Sequence, residues 1–348
     1  MTGEIVCPVP LGDGGRILLA HGGGGRLTRD LVERVFVPAF RNDALAALHD
    51  SAVLARPAGA FAFTTDSFVV HPLFFPGGDV GKLAVTGTVN DLAMAGARPL
   101  YLTLGFILEE GLAVADLTRV VASVQAAARE ASVTVVAGDT KVVERGKGDG
   151  IFITSSGVGV IEAPRPVAPT EVRPDDAVLV SGPVGQHGVA VMAVRDGLAF
   201  ASPILSDCAS VAGAVLALLG SGVDVHCLRD PTRGGVATVL NEIAAQAECE
   251  IGVHESAIPV AEDVAGACEV LGLDPLYVAC EGRFLAFVPA KDADRALDVL
   301  HARPETAQAA RIGTVRRGGT AGLVVLKTRA GGERVLDLLS GEQLPRIC

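Results

Sequence analysis

Two spacings of apolar residues alternate along the chain. Short runs rich in β-branched and aromatic residues, Phe61–Thr65, Ile151–Thr154, Ala177–Val180 and Phe284–Val288, predict strands. Between them, Ala- and Val-rich stretches keep helical spacing: "GKLAVTGTVNDLAMAGA", "LTRVVASVQAAAREA", and the segments around Val189–Asp196 and Val236–Ala247. The segment Ala163–Pro174, "APRPVAPTEVRP", carries four prolines and reads as an exposed crossing between two units. After Ser340 neither spacing persists, so a loose tail is expected. The pattern predicts an α+β protein with an N-terminal domain over 1–162, a C-terminal domain over 163–338 and a mobile tail over 339–348. Repeats at solenoid periods are absent.

Composition narrows the function classes. At 348 residues the chain has room for two domains. Hydrophobic residues reach 49%, yet no apolar run approaches the roughly 20 residues that span a bilayer. The start, "MTGEIVCPVPLGDGG", has neither a basic opening nor an apolar core, so a cytoplasmic protein without a membrane partner is expected. A net charge of −11, no Trp and two Tyr argue against a nucleic-acid partner, which needs a positive footprint or stacking platforms. Seven cysteines are spread without any C-x-x-C pair, which disfavours a disulfide framework or structural zinc. Most read as small buried apolar groups. Cys348 stands apart, because it is the last residue and follows "LPRI". A bare thiol there is either an accident of the chain end or a working group.

Candidate chemistry gathers around acids at the ends of apolar runs: Asp66 in "FAFTTDSFVV", Asp91 in "TVNDLAMAGA" and Asp139 in "VTVVAGDTKVV", with Asp50 just before another run. Carboxylates so placed can converge on Mg²⁺, which takes one or two of them plus phosphate oxygens. Each acid singly also suits a turn or a helix cap. The run "AHGGGGRLTRDLV" sets four glycines before a helix, where bare amides can approach phosphate, though it is not a Walker A. Lys141 follows "GDT", and "RDPTRGGVATVLNEIA" offers Arg229, Asp230 and Arg233 at a helix entry. Glu281 in "ACEGRFLAFV" precedes a buried strand, where desolvation would raise its pKa. His187 lies between glycines in "SGPVGQHGVAVM" and suits either a ligand contact or a helix entry.

Together, "TTDSFVV", "GTVNDLAMAGA", "GDTKVVERGKGDGIFITSSGVG", "RDPTRGGVATVLNEIA", "CEG" and the final "PRIC" resemble the HypE family of hydrogenase maturation factors. That family belongs to the aminoimidazole-ribonucleotide-synthetase-like (PurM-like) superfamily. The resemblance runs in order from about His21 to Cys348. It implies an N-terminal ATP-binding domain that forms a β-barrel across a homodimer, and a C-terminal α/β domain packed against it. It also implies that a carbamoyltransferase, HypF, loads the terminal cysteine. ATP-dependent dehydration then gives a thiocyanate, whose cyano group passes to iron on a HypC–HypD complex and becomes a hydrogenase ligand. Carried onto this chain, the resemblance assigns Asp50, Asp66, Asn90, Asp91, Asp139, Lys141 and Arg233 to Mg²⁺–ATP. Asp50, Asp66, Asp91 and Asp139 are the expected metal ligands, and Cys348, Lys141 and Glu281 the expected catalytic groups. The chain departs from the family at "HGGGG" for "HGSGG", at Gln186 in "GQHG" for "GDHG", and at "CEG" for "SEG". Two readings compete. One is another ATP-dependent enzyme of the superfamily, such as a selenophosphate synthetase with its reactive group near Cys7. The other is a nucleotide-binding scaffold without turnover.

Overall fold

The computed structural model describes residues 15–46, 51–55, 57–198, 203–338 and 346–348. In the N-terminal half, α1 (Arg26–Leu31) runs through a π turn into α2 (Val37–Phe40), followed by α3 (Asp43–Ala46). Strand β1 (Phe61–Phe68) leads to a small hairpin, β2 (Phe74–Phe75) and β3 (Gly78–Asp79), and then to α4 (Val80–Met94). There follow β4 (Ala97–Glu109), α5 (Val114–Glu130), β5 (Thr134–Val143) and β6 (Ile151–Ile161). The four long strands form one sheet in the order β1-β6-β4-β5, antiparallel except for the parallel β4–β5 pair joined by α5. That exception follows from the helical crossover, since parallel neighbours need one.

Helix α4 is the hub. Asp79 caps it by accepting from the Gly81 and Lys82 amides at 2.8 and 3.0 Å. It is buried almost all round, because its small residues let it lie on β1, β4 and β6 while touching α5 and the C-terminal half. A Cβ at Gly81 would sit 2.5 Å from the Val120 carbonyl oxygen, so the α4–α5 crossing depends on glycine there. The opposite face of the sheet carries exposed apolar side chains, including Phe61 (52%), Phe63 (70%) and Ile107. The sheet is open, and the described residues form no closed barrel.

The C-terminal half follows the proline-rich crossing. Its strands are β7 (Asp176–Val180), β8 (Cys227–Arg229), β9 (Glu250–His254), β10 (Leu285–Pro289), β11 (Ala310–Arg316), β12 (Leu323–Lys327) and β13 (Glu333–Val335). They make one sheet in the order β13-β12-β9-β11-β7-β10-β8. Its helices are α6 (Gln186–Arg195), α7 (Ala212–Gly220), α8 (Gly235–Gln246), α9 (Glu262–Leu271) and α10 (Ala293–His301). Strand β7 is buried at every position because both faces are covered. Leu179 packs in the core shared with α7, α10 and the N-terminal domain, while Val178 and Val180 pack with α8. Such burial explains a continuous apolar run in place of alternation. The first core crosses the domain boundary from Leu83 and Leu102 to Val215 and Leu218.

The expected strands and helices are present, most with longer or slightly shifted ends. Residues 339–345 lie outside the described residues, but the last three are seated against the body. Ile347 is 2% exposed, and the Val69 and His71 amides donate to Cys348 O at 3.1 Å and to Arg346 O at 3.4 Å. The chain end thus prolongs the hydrogen-bonding line of β1, and Arg346 ion-pairs with Asp149.

Candidate active site

The register of the N-terminal sheet decides which acids can meet. Asp66 pairs with Ser155, Ser155 with Leu104, and Leu104 with Gly138. Paired residues share a face, so Asp66 faces α4 with Thr64, whose hydroxyl donates to Asp91 at 2.9 Å. Asp139 pairs with Gly105, which pairs with Thr154 and onward to Ser67, so Asp139 and Lys141 stand on the opposite, open face. There the Lys141 ammonium donates to both Asp139 oxygens at 2.7 Å, and this bond holds the Asp139 carboxyl below its ordinary pKa. Both side chains are largely exposed.

Within this chain the expected ligands do not all converge. Asp66 and Asp91 do; Asp139 and Lys141 do not; Asp50 lies outside the described residues. Asp66 and Asp139 also sit within strands, not at their ends. The glycine run leads into a helix of only six residues, and the Gly24 amide is already spent on the Thr28 hydroxyl at 2.9 Å. A cavity of about 390 Å³ opens beside that turn, walled by Phe36, Phe40, Leu104 and Phe106.

Across the domain boundary a second set of acids faces Asp66 and Asp91. Asp230 enters after β8, and burial followed by Asp91 pushes its carboxyl up to about 7. Glu281 sits at the turn before β10, 4% exposed, with its pKa raised well above the ordinary value. Burial is the main cause, followed by the charges of Asp230, Asp207, Asp66 and Asp91. Asp91 is raised mainly by burial, against the opposing Thr64 bond. Asp207 accepts from the Glu281 amide at 3.2 Å and lies 3.7 Å from the Arg283 guanidinium. Glycine is required between Glu281 and Arg283, since a Cβ at Gly282 would sit 1.9 Å from the Asp207 carbonyl oxygen. The buried oxygens Glu281 Oε1 and Asp207 Oδ2 have no hydrogen-bond partner. Carboxyls crowded together and left unsatisfied in this way fit a hard cation carrying phosphate oxygens. Among the described residues no three His, Cys, Asp or Glu side chains already form a metal-holding group.

Asn90, expected at the nucleotide, is committed elsewhere. Its amide donates to Ala209 O and Glu281 O at 3.0 and 3.3 Å, and its oxygen accepts from the Val211 amide at 2.8 Å. It clamps α4 to the loop that carries Glu281. Asn90→Ala is expected to cost about 2–4 kcal/mol, because it strands buried polar groups; a shift of the urea midpoint at unchanged slope would measure it. Arg233 is exposed at the entry to α8 and bears on both Asp91 and the Cys348 thiol. Gln186 accepts from Arg283 at 3.1 Å, so the position where the family carries an acid supports the Asp207 side of the cluster.

The tail delivers Cys348 into this cleft. Burial pushes its thiol up to about 12, with Glu281 and Asp66 raising it and Arg233 lowering it. The neighbouring Ile347 carbonyl lies 2.8 Å from His187 Nε2. Of the residues singled out in the sequence, the structure brings Asp66, Asp91, Arg233, Glu281 and Cys348 toward one cleft. Sequence reasoning missed Asp207, which lies in "LSDCAS" with no strand end or glycine to mark it.

Residues 48–161 match the family of AIR synthase related protein, N-terminal domain, and residues 173–326 its C-terminal domain. The carbamoyl dehydratase HypE of Azotobacter vinelandii is 52% identical over 334 residues, 96% of this chain and 98% of that protein. A crystal structure of hydrogenase maturation protein HypE in complex with ATP superposes with a TM-score of 0.92 at 50% identity, covering 95% of this chain and 99% of that one. A HypE–HypF complex contains a chain with a TM-score of 0.78 at 45% identity, covering 90% of this chain and 100% of that one. With this likeness along nearly its whole length, the chain belongs to the HypE family of carbamoyl dehydratases.

Proposed function

We propose that the protein dehydrates a carbamoyl group carried on Cys348 to a thiocyanate, using ATP and Mg²⁺, and so supplies the cyanide ligand for maturation of a nickel–iron hydrogenase. The observation that carries this reading is the docking of the chain end at the domain boundary, where Cys348 O accepts from the Val69 amide, Ile347 O meets His187 and the thiol feels the charges of Glu281, Asp66 and Arg233. An amide oxygen is a poor leaving group, and ATP, when bound, supplies the phosphoryl group that turns it into a good one. Asp66, Asp91 and Asp230 would hold Mg²⁺ against the phosphates, and Arg233 would offset negative charge at the cleft mouth. The substrate nitrogen must lose two protons while its carbon–oxygen bond breaks. Glu281, whose buried Oε1 has no hydrogen-bond partner, is the base for that step, ionised once a bound cation offsets the acids around it. Ile347, buried beside the carrier residue, anchors the tail while the reaction proceeds.

The seated thiol is partly buried and its pKa is raised, which makes it a poor nucleophile. Loading by a HypF-type carbamoyltransferase therefore takes place with the tail released, and chemistry with the tail returned. From there the cyano group goes to iron on a HypC–HypD complex. Asp139 and Lys141 enter this scheme through a second copy packed on the open sheet face. A homodimer of that kind would also cover Phe61, Phe63 and Ile107.

Intact-mass analysis tests the reading. The protein with the carbamoyltransferase and its carbamoyl donor should gain one carbamoyl group on Cys348, and adding Mg²⁺–ATP should then remove one water from the adduct. A carbamoylated protein that hydrolyses ATP without losing water would refute it. Turnover that required selenide would favour the selenophosphate alternative.

A further inference from the structure

We propose that His187 is the positioning residue of the tail: it clamps the Ile347 carbonyl and so fixes how far Cys348 enters the cleft. This rests on Cys348 being the carrier. The ring is fully buried at the start of α6. Its Nε2 lies 2.8 Å from Ile347 O and its Nδ1 lies 2.8 Å from Ser206 Oγ. A carbonyl only accepts, so Nε2 carries the proton and Nδ1 accepts from the Ser206 hydroxyl. Ser206 is itself held, because its oxygen takes the Cys208 amide at 3.0 Å. Phe75 meets the ring edge-on, with centroids 5.4 Å apart, and closes off its rotation.

The other end of the same helix holds the preceding tail residue. Arg195 donates to Arg346 O at 3.0 Å and to His71 O at 3.0 Å. One rigid helix thus grips two successive tail carbonyls, while Ile347 fills the space between them. Main-chain clamps read where the tail stops, independent of what the thiol carries. The same seat therefore serves free and carbamoylated Cys348. The hydrogen bonds of the His187 ring go to the tail and to Ser206, with Asp207 acting on it only through its charge, so its effect on the reaction passes through the tail.

Alkylation of Cys348 by iodoacetamide, mapped by mass spectrometry on the full chain, reads the seated fraction without ATP or any partner. Its failure is therefore separate from a failure of the dehydratase reading. His187→Leu removes the donor at similar volume and should raise the alkylation rate of Cys348 about five- to tenfold, the worth of one net hydrogen bond. The buried Cys208 and Cys280 should stay protected. His187→Gln, whose amide can donate to the same carbonyl, should return the rate to within about twofold of the parent. Ile347→Ala, at the tail itself, should match the Leu variant. If His187→Leu instead exposes every cysteine, Ser206→Ala decides. It frees Nδ1 to take the proton and should give a rise of about two- to threefold in the same direction. Unchanged Cys348 alkylation in a protected His187→Leu protein, or in Ser206→Ala where that variant is needed, would overturn the assignment.

Discussion

Cys348→Ala is expected to abolish acceptance of the carbamoyl group while leaving the fold and Mg²⁺–ATP binding as they are. The residue is held by its main chain, through the Val69 amide on its oxygen, and by the burial of Ile347 before it. Alanine preserves both contacts, so the tail should still seat. Among the other described thiols, Cys249 is half-buried with its pKa raised, and the rest are buried. Burial pushes Cys208 and Cys227 up to about 12 and Cys268 up to about 11, and raises Cys280 well above its ordinary value. Such thiols are neutral at working pH and walled off from a partner's active site. Intact-mass analysis with the carbamoyltransferase is the check. A carbamoyl group on the Cys348→Ala protein, mapped to another cysteine such as Cys7, would sink the carrier mechanism.

How far the site was legible in the sequence follows from the range of each constraint. The helix "GKLAVTGTVNDLAMAGA" and the two-faced strand "DAVLV" declare themselves through local composition. Asp66, Asp91, Glu281 and Cys348, which the fold gathers toward one cleft, each stand in a motif that carries the family resemblance. Asp139 and Lys141 stand in such a motif too, yet the structure sets them on the other face of the sheet. Strand alternation turns each residue to one face or the other, and which face depends on a register running through three neighbouring strands. No single stretch contains that information. Asn90 shows the complementary limit. Its side chain looks available beside Asp91, but a helix turn rotates it onto loops more than a hundred residues away. The seating of the tail was illegible for a further reason. Aperiodic sequence marks the absence of a regular element, and Ile347 and Cys348 are fixed by single hydrogen bonds to Val69 and His187 that leave no periodic trace.

Glu281→Gln is expected to leave carbamoylation of Cys348 and nucleotide binding in place and to slow dehydration by about 10²–10⁴-fold, the usual worth of a positioned base. Glutamine keeps the shape and the Asn90 and Asp207 contacts, which go to the Glu281 main chain. What it loses is the proton acceptor beside the seated tail. Stability should move in the other direction. The Glu281 carboxyl has a folded-state pKa well above its ordinary value, so the folded protein holds that proton where the unfolded chain releases it. Its contribution to stability is full at low pH and falls as pH rises above about 4.5 and through the folded-state value. A neutral glutamine escapes that loss. The unliganded Glu281→Gln protein should therefore melt higher than the parent, with a gap that widens from acid to neutral pH and narrows once Mg²⁺–ATP brings a cation to the parent's acids. Single-turnover mass spectrometry on carbamoylated protein measures the first effect and melting curves across pH measure the second. Parent-like thiocyanate formation by the variant would remove Glu281 as the base. A melting gap that closed toward neutral pH would show that the acid cluster does not burden the empty fold.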